Sequence, residues 1–146
     1  MRPMNTGRAY RAFHSLARTC LLALSLSACA STQAASTAVR SFGSALYVPL
    51  QPVEVSVRVA PDVSVQVWAA EEAPPAGWTV TNIGQGGTWD AVNSRVKWGV
   101  FFDNSARTLT YQATPPAGQS GTVTFSGLAS FAAGTTEQTI ATTGAT

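Results

Sequence analysis

The chain contains few charged residues, one histidine and two cysteines among its 146 residues. Asp, Glu, Lys and Arg make up 11% of the sequence, about half the share usual in soluble domains. His14, Cys20 and Cys29 all lie near the N-terminus. The chain after Cys29 therefore lacks the neutral-pH base of a hydrolytic triad. It also lacks a thiol for a disulfide, a metal cluster or nucleophilic catalysis.

The positive charge is concentrated at the N-terminus. Arg2, Arg8, Arg11 and Arg18 precede the cysteines, whereas all seven acidic residues follow Cys29. Beyond Cys29 five bases face seven acids, which gives a net charge of 5 − 7 = −2. Nucleic-acid binding requires a basic surface that neutralises phosphates, so the sequence predicts no nucleic-acid partner.

Residues 1–28 have the composition of a secretory signal peptide. Residues 1–18 are basic, and residues 19–28 form an apolar run about half as long as a membrane-spanning helix. The run ends in Leu26-Ser27-Ala28-Cys29, which resembles the lipobox of bacterial lipoproteins. This resemblance implies that the Cys29 thiol is alkylated with diacylglycerol and that cleavage leaves Cys29 as the acylated N-terminus. Ordinary signal cleavage is the alternative, because Ala28-Cys29-Ala30 also fits the small-x-small rule.

The lipobox resemblance also implies a location. Several acyl chains on Cys29 would form a stable membrane anchor. Ala30 follows the cysteine, where an Asp would signal retention in the inner membrane. The resemblance therefore implies an exported protein that is lipid-anchored to the cell envelope, at the outer membrane of a Gram-negative cell.

The segment after Cys29 is small and polar. Residues 30–45 contain few large side chains, and such a composition predicts a flexible tether rather than a packed element. The folded domain is expected over residues 46–141, with residues 142–146 as a short C-terminal tail.

The expected domain shows a hydrophobic period of two and no sustained helical stripe. Strands are predicted at 53–59, 63–68, 78–83, 88–91, 95–102, 107–113, 121–131 and 137–141. The apolar positions expected to face the core are Val53, Val55, Val57, Val59, Val63, Val65, Val67, Val96, Trp98, Val100, Phe102, Leu109, Tyr111, Val123 and Phe125. Seven or eight short strands separated by Gly/Pro loops predict an all-β protein, a single immunoglobulin-like sandwich.

Several strand and turn motifs suggest a family. They are Pro74–Val80, Gly86–Asp90, Lys97–Gly99, Phe102–Asn104 and Arg107–Tyr111. Together they resemble accessory β-sandwich domains, immunoglobulin-like or cohesin-like, of large secreted bacterial proteins. The resemblance implies the fold and an accessory role, and it carries no catalytic signature. Such relatives carry Asn-Gly in the central hairpin, where this chain has Asn93-Ser94.

The remaining polar residues offer little chemistry. Alternation places Lys97 toward solvent, and a single sandwich lacks the deep cleft in which two carboxylates, such as Asp90 and Asp103, hydrolyse glycosides. Asp103-Asn104 provides far fewer than the six to eight oxygen ligands of calcium and also suits a turn. The sequence therefore predicts a protein that is not an enzyme and has no cofactor or metal site.

Three of the four tryptophans are candidate ligand contacts. Trp98 shares a face with Val96 and is expected in the core. Trp68 follows an inward Val67 and is expected to point outward, whereas Trp78 and Trp89 are expected to be half exposed. Exposed aromatic rings stack on sugar rings, so Trp68, Trp78 and Trp89 would serve a polysaccharide-binding module, although core packing also explains tryptophans.

Two functions follow from these patterns. The leading hypothesis is a lipid-anchored envelope lipoprotein without enzymatic activity, which acts as a structural or protein-interaction module. The alternative is a polysaccharide-binding module that uses exposed tryptophans. An open sheet edge that accepts a strand from another chain is a further route to partner binding.

Overall fold

A computed structural model of the chain describes residues 35–146, and the predicted signal peptide and lipidated Cys29 lie outside the described residues. Residues 35–146 form ten strands and no helix. This part of the chain therefore contains no helix that is long and apolar enough to cross a membrane.

The strands form two five-stranded sheets. Sheet A contains, in spatial order, β10 (Thr143–Gly144), β1 (Thr37–Phe42), β2 (Val53–Ala60), β7 (Arg107–Thr114) and β4 (Thr79–Thr81). Sheet B contains β5 (Thr88–Asp90), β6 (Arg95–Phe101), β3 (Val67–Ala73), β8 (Ser126–Ala133) and β9 (Thr136–Ala141). All neighbours are antiparallel except β1 and β10. The predicted all-β sandwich is confirmed, with ten strands instead of seven or eight.

The core lies between the sheets and follows the predicted alternation where strands are regular. Val55, Val57 and Val59 of β2 are buried, as are Leu109 and Tyr111 of β7. Sheet B contributes its inward side chains to the same cluster. The period of two therefore predicted the inward faces of β2 and β7 correctly, because neither strand is interrupted along its length.

A β-bulge changes the pattern in β6. Trp98 pairs with Ala70 and Phe101 pairs with Trp68, so β6 carries one more residue than β3 over this interval. Gly99 has a φ of 106°, a conformation that suits glycine. As a result Phe101 packs 4.4 Å from Trp68, whereas Val100 and Phe102 are exposed. The prediction that Val100 and Phe102 face the core is wrong, since the extra residue reverses the alternation.

The predicted strand at 63–68 begins only at Val67. Asp62 organises a turn before it: its Oδ1 accepts hydrogen bonds from the Ser64 amide (2.8 Å) and hydroxyl (2.6 Å). The Val65 amide donates to the Asp62 carbonyl, and Val63 is exposed. Because the turn interrupts the alternation, Trp68 points inward and is 1% exposed, so the prediction of an outward Trp68 is wrong.

The sandwich begins inside the segment predicted as a tether. Residues 37–42 form β1, which pairs with β2 along its whole length. Its inward positions are occupied by Ala38 and Arg40, so it lacks the apolar alternation that marks a buried strand. The predicted tail also contributes β10, where Gly144 lies too close to the Arg40 carbonyl for a side chain. These two strands bring the eight predicted strands to ten.

Candidate binding site at one end of the sandwich

A cavity of about 600 Å³, here called the end cavity, opens at one end of the sandwich. It lies where β1 ends, β2 begins and the chain leads into β4 and β8. Its lining residues are Phe42, Ser44, Ala45, Leu46, Tyr47, Pro49, Val53, Trp78, Gln119, Ser120, Gly121, Thr122, Val123, Phe125, Ala145 and Thr146. None of these side chains is charged.

Four aromatic rings pack against one another in the wall of the end cavity. The Phe42 and Phe125 centroids are 4.8 Å apart, and Trp78 meets Phe125 edge-on at 5.4 Å. Tyr47 meets Trp78 edge-on at 5.3 Å. Trp78 is 6% exposed, and its Nε1 finds no hydrogen-bond acceptor among residues 35–146. The wall is therefore a cluster of packed aromatic rings, and the Trp78 N–H is buried within it.

The β1–β2 connection, residues 43–52, forms the rim and is here called the apolar loop. Leu46 is 81% exposed, and Val48 and Leu50 are also exposed. The Tyr47 hydroxyl donates to the Gly121 carbonyl at 2.7 Å, and the Leu50 amide donates to the Pro115 carbonyl at 3.0 Å. These bonds hold the loop beside the cavity while its aliphatic side chains face solvent, an arrangement typical of an interaction surface.

A buried ion pair lies next to the end cavity and joins the two sheets. Arg40 of β1 donates from Nε to Glu72 Oε2 at 2.7 Å and from Nη2 to Oε1 at 3.0 Å. Both side chains are at most 1% exposed. Burial raises the pKa of the Glu72 carboxyl, and the hydrogen bonds and charge of Arg40 oppose that rise.

Arg40 also holds two segments of the cavity lining. Its Nη1 donates to the carbonyls of Phe125 (3.2 Å) and Ala145 (3.0 Å). The guanidinium carbon lies 6.0 Å from the Phe125 ring centroid, at the limit of a cation–π contact. One buried cation thus positions the segment before β8, the segment after β10 and an aromatic ring of the wall.

The structure does not bring the three candidate tryptophans together. Trp68 and Trp78 are buried, and Trp89 alone is exposed, at 38%. Trp68 packs on Phe101 and near the Arg107 guanidinium in the core, whereas Trp78 serves as a wall of the end cavity. A sugar platform of several exposed tryptophans is therefore not formed. Trp98 is buried as predicted, and its Nε1 donates to the Gly84 carbonyl at 2.9 Å.

The carboxylates considered for catalysis are engaged in ion pairs and turns. Asp90 accepts a hydrogen bond from the half-exposed Lys97 at 2.7 Å and others from Asn93, and these bonds hold its pKa below the ordinary value. Arg107 holds the pKa of Asp103 low in the same way. Asp90 lies opposite Arg95, at the start of β6, whereas Asp103 comes after the end of β6. The two carboxylates are therefore at opposite ends of this strand and are not neighbours.

The other predicted polar features have structural contacts as well. Glu71 pairs with Arg95, and the Asn104 side chain donates to the Val63 carbonyl. In the hairpin, Ser94 adopts a φ of 52°, so the residue that replaces glycine keeps a left-handed conformation. Within residues 35–146, no three His, Cys, Asp or Glu side chains are placed to hold a metal ion.

A shallower groove of about 430 Å³ crosses the outer face of sheet B. Its charged lining residues are Glu71 and Lys97, and both are paired across the sheet. Arg95 and Asp90 already neutralise these charges, so the groove has no unpaired charged side chain in its lining with which to bind a ligand. The end cavity is therefore the better candidate site.

The residues that form the end cavity carry no strong signal in the sequence. Phe42, Tyr47 and Arg40 all lie in or beside the segment predicted as a tether. The available signal was the pair of aromatic residues, Phe42 and Tyr47, in or beside a stretch with few large side chains. No protein-family model and no curated protein matches the chain. The resemblance to accessory domains of secreted bacterial proteins stays a prediction.

Proposed function

We propose that the protein is a non-enzymatic envelope lipoprotein that binds a partner protein through the end cavity. The observation that carries this proposal is the uncharged, aromatic lining of a cavity of about 600 Å³ beside an exposed apolar loop. Cavities of this size hold a small ligand or a cluster of side chains. An aliphatic or aromatic side chain of a partner would displace water from these rings, and such anchors dominate the energy of protein interfaces.

The direction of β1 supports access to the end cavity from a membrane anchor. The chain enters β1 at Thr37 and reaches the cavity only at Phe42, a strand length of about 20 Å away. The chain that leads from Cys29 would therefore join the sandwich at the start of β1, and the end cavity lies at the end of β1. The connection is residues 30–36, and seven residues span at most about 25 Å.

The charged side chains favour a binding role over a catalytic one. The four ion pairs are Arg40–Glu72, Arg95–Glu71, Lys97–Asp90 and Arg107–Asp103. They engage four of the seven acidic residues of the chain, and the other three are Glu54, Asp62 and Glu137. None of these pairs contributes a side chain to the lining of the end cavity.

Lipidation is tested by metabolic labelling with a fatty acid. The wild-type chain is expected to incorporate the label, and Cys29→Ser is expected to lose it. Cys20→Ser is the matched control, since it removes the other cysteine and leaves the lipobox intact. Equal labelling of Cys29→Ser and Cys20→Ser would contradict the anchor.

Partner binding is tested by site-specific photocrosslinking in intact cells. A photoreactive phenylalanine at Leu46, on the rim of the end cavity, is expected to form a discrete adduct with an envelope protein. The matched control is the same probe at Phe102, which is equally exposed (79% against 81%) and follows β6 at the other end of the sandwich. Identical adducts at both positions, or none at Leu46, would contradict binding at the cavity. An adduct with polysaccharide at a Trp89 probe would instead favour the sugar-binding alternative.

A further inference from the structure

The outer edge of sheet B is formed by β9, and it differs from the other sheet edges of residues 35–146. β10 has two residues, and β4 and β5 have three each, whereas β9 has six. Short edge strands offer few backbone groups to another chain. β9 is therefore the edge that can form a ladder of useful length.

The hydrogen-bond phase of β9 shows which backbone groups face outward. The Thr142 amide donates to the Gly127 carbonyl at 2.8 Å, directly after β9. Because antiparallel strands alternate between bonded and unbonded pairs, Ile140, Gln138 and Thr136 bond to β8. Glu137 and its two alternate neighbours, Thr139 and Ala141, then direct their N–H and C=O groups away from β8. No backbone hydrogen bond from elsewhere in residues 35–146 ends on these three residues.

β9 lacks the features that protect natural edges. It contains no proline and no lysine, and its pairing with β8 runs without a bulge over six residues. Its single charge is Glu137, near one end. On the outer face the Thr139 hydroxyl lies 2.9 Å from the Ser130 hydroxyl, so the centre of the edge is small and neutral.

We propose that β9 pairs antiparallel with β9 of a second copy of this chain, about a two-fold axis through Thr139. This register places Thr139 opposite Thr139 and Glu137 opposite Ala141, so each of the outward residues exchanges hydrogen bonds with an outward residue. A shift of two residues in either direction loses one of these pairs. The result is a continuous sheet of ten strands across the two copies.

The charge pattern selects the same register. With Thr139 on the axis, the two Glu137 side chains are four residues apart along the ladder, about 14 Å, which exceeds the screening length of about 8 Å at physiological salt. A shift toward Glu137 would bring the carboxylates to about 7 Å along the ladder, where like charges repel.

The dimer is compatible with the proposed anchor and with an open end cavity. β9 contributes no residue to the cavity lining, so both cavities stay accessible. The two-fold axis is perpendicular to sheet B, and the two copies therefore run in opposite directions. The proposed ladder leaves the N-terminal connection of each copy free of the dimer contact, because β9 is the edge of sheet B and β1 belongs to sheet A. The dimer does not depend on partner binding, and failure of either proposal leaves the other standing.

The register is tested by disulfide trapping in the full chain with Cys20 and Cys29 replaced by serine. Thr139→Cys is expected to form a covalent dimer on mild oxidation, because directly opposite residues lie within disulfide range. Ser130→Cys is the matched control on the same outer face, one strand further from the axis, and is expected to stay monomeric. Equal crosslinking of Thr139→Cys and Ser130→Cys would overturn the proposal.

Sedimentation of the same cysteine-free chain tests the edge without a crosslink. The chain is expected to dimerise at micromolar concentration. Thr139→Lys places two like charges opposite each other and is expected to weaken dimerisation at least about tenfold. Thr37→Lys, an exposed position on sheet A, is expected to leave it unchanged. A monomer at all concentrations, or a dimer that Thr139→Lys does not weaken, would overturn the proposal.

Discussion

The buried pair Arg40–Glu72 makes the most specific prediction about stability. Glu72→Leu removes the carboxylate and leaves the Arg40 guanidinium buried, with only the Phe125 and Ala145 carbonyls as acceptors. Breaking a buried pair on one side costs about 3–5 kcal/mol. Since a domain is stable by only about 5–15 kcal/mol, this is a large share of the free energy of unfolding.

The expected shift is large enough to measure by thermal or urea unfolding followed by tryptophan fluorescence. At about 4 °C per kcal/mol for a domain of this size, Glu72→Leu should lower the Tm by about 12–20 °C. Arg40→Met should have a similar effect, because it leaves the Glu72 carboxylate without its cation.

The double variant Arg40→Met/Glu72→Leu measures the interaction free energy between the two residues separately from their contacts with the rest of the core. Replacing both charges with apolar side chains of similar size removes the unpaired charge and is expected to restore most of the lost stability. The coupling free energy between the two sites should therefore be about 3 kcal/mol or more. Additive losses in the double variant, or a loss below about 1 kcal/mol in either single variant, would refute the reasoning from a desolvated pair.

Three other predictions follow from individual contacts. Gly127→Ala is expected to destabilise the domain by about 1–3 kcal/mol, because its Cβ would overlap the Glu72 carboxylate, and urea unfolding should show a smaller loss in a Glu72→Ala background. Gly87→Ala should cost a similar amount, since its Cβ would meet the Trp98 indole, whereas Gly43→Ala has ordinary contacts and should be close to neutral in the same assay. Asp103 has a folded pKa below its unfolded value near 3.8, so its stabilising effect is present above that pH and is lost as the pH falls toward the folded pKa. The Tm difference between the wild type and Asp103→Asn should therefore narrow on acidification; a constant difference would contradict the ion pair with Arg107.

Regular strands could be predicted from the sequence because their side chains report burial directly. β2 alternates valine with polar residues, and β7 places Leu109 and Tyr111 inward. Neither strand contains an interruption, so a local pattern was sufficient.

Interrupted strands could not be predicted in the same way. The extra residue at Gly99 and Val100 reverses the alternation in β6, and the Asp62 turn shifts that of β3. Each change moves every following side chain to the other face. The inward Trp68 and the outward Phe102 therefore depend on pairing with neighbouring strands, which a local pattern does not contain.

The end cavity could not be predicted from the sequence for a related reason. β1 carries alanine and arginine at its inward positions, and an arginine in a sequence normally indicates a position that faces solvent. Only when Glu72 of β3 lies opposite does Arg40 belong in the interior, and only then do Phe42 and Tyr47 come to line the end cavity.

The sequence alone determined the all-β fold and the inward faces of the uninterrupted strands, because periodicity and turn composition act over a few neighbouring residues. The tertiary structure decided where the domain begins, which tryptophans are exposed, and that an apolar cavity and an open edge exist. Those features depend on partners distant in sequence: the buried pair joins residues 32 positions apart, and it forms only when both sheets are assembled.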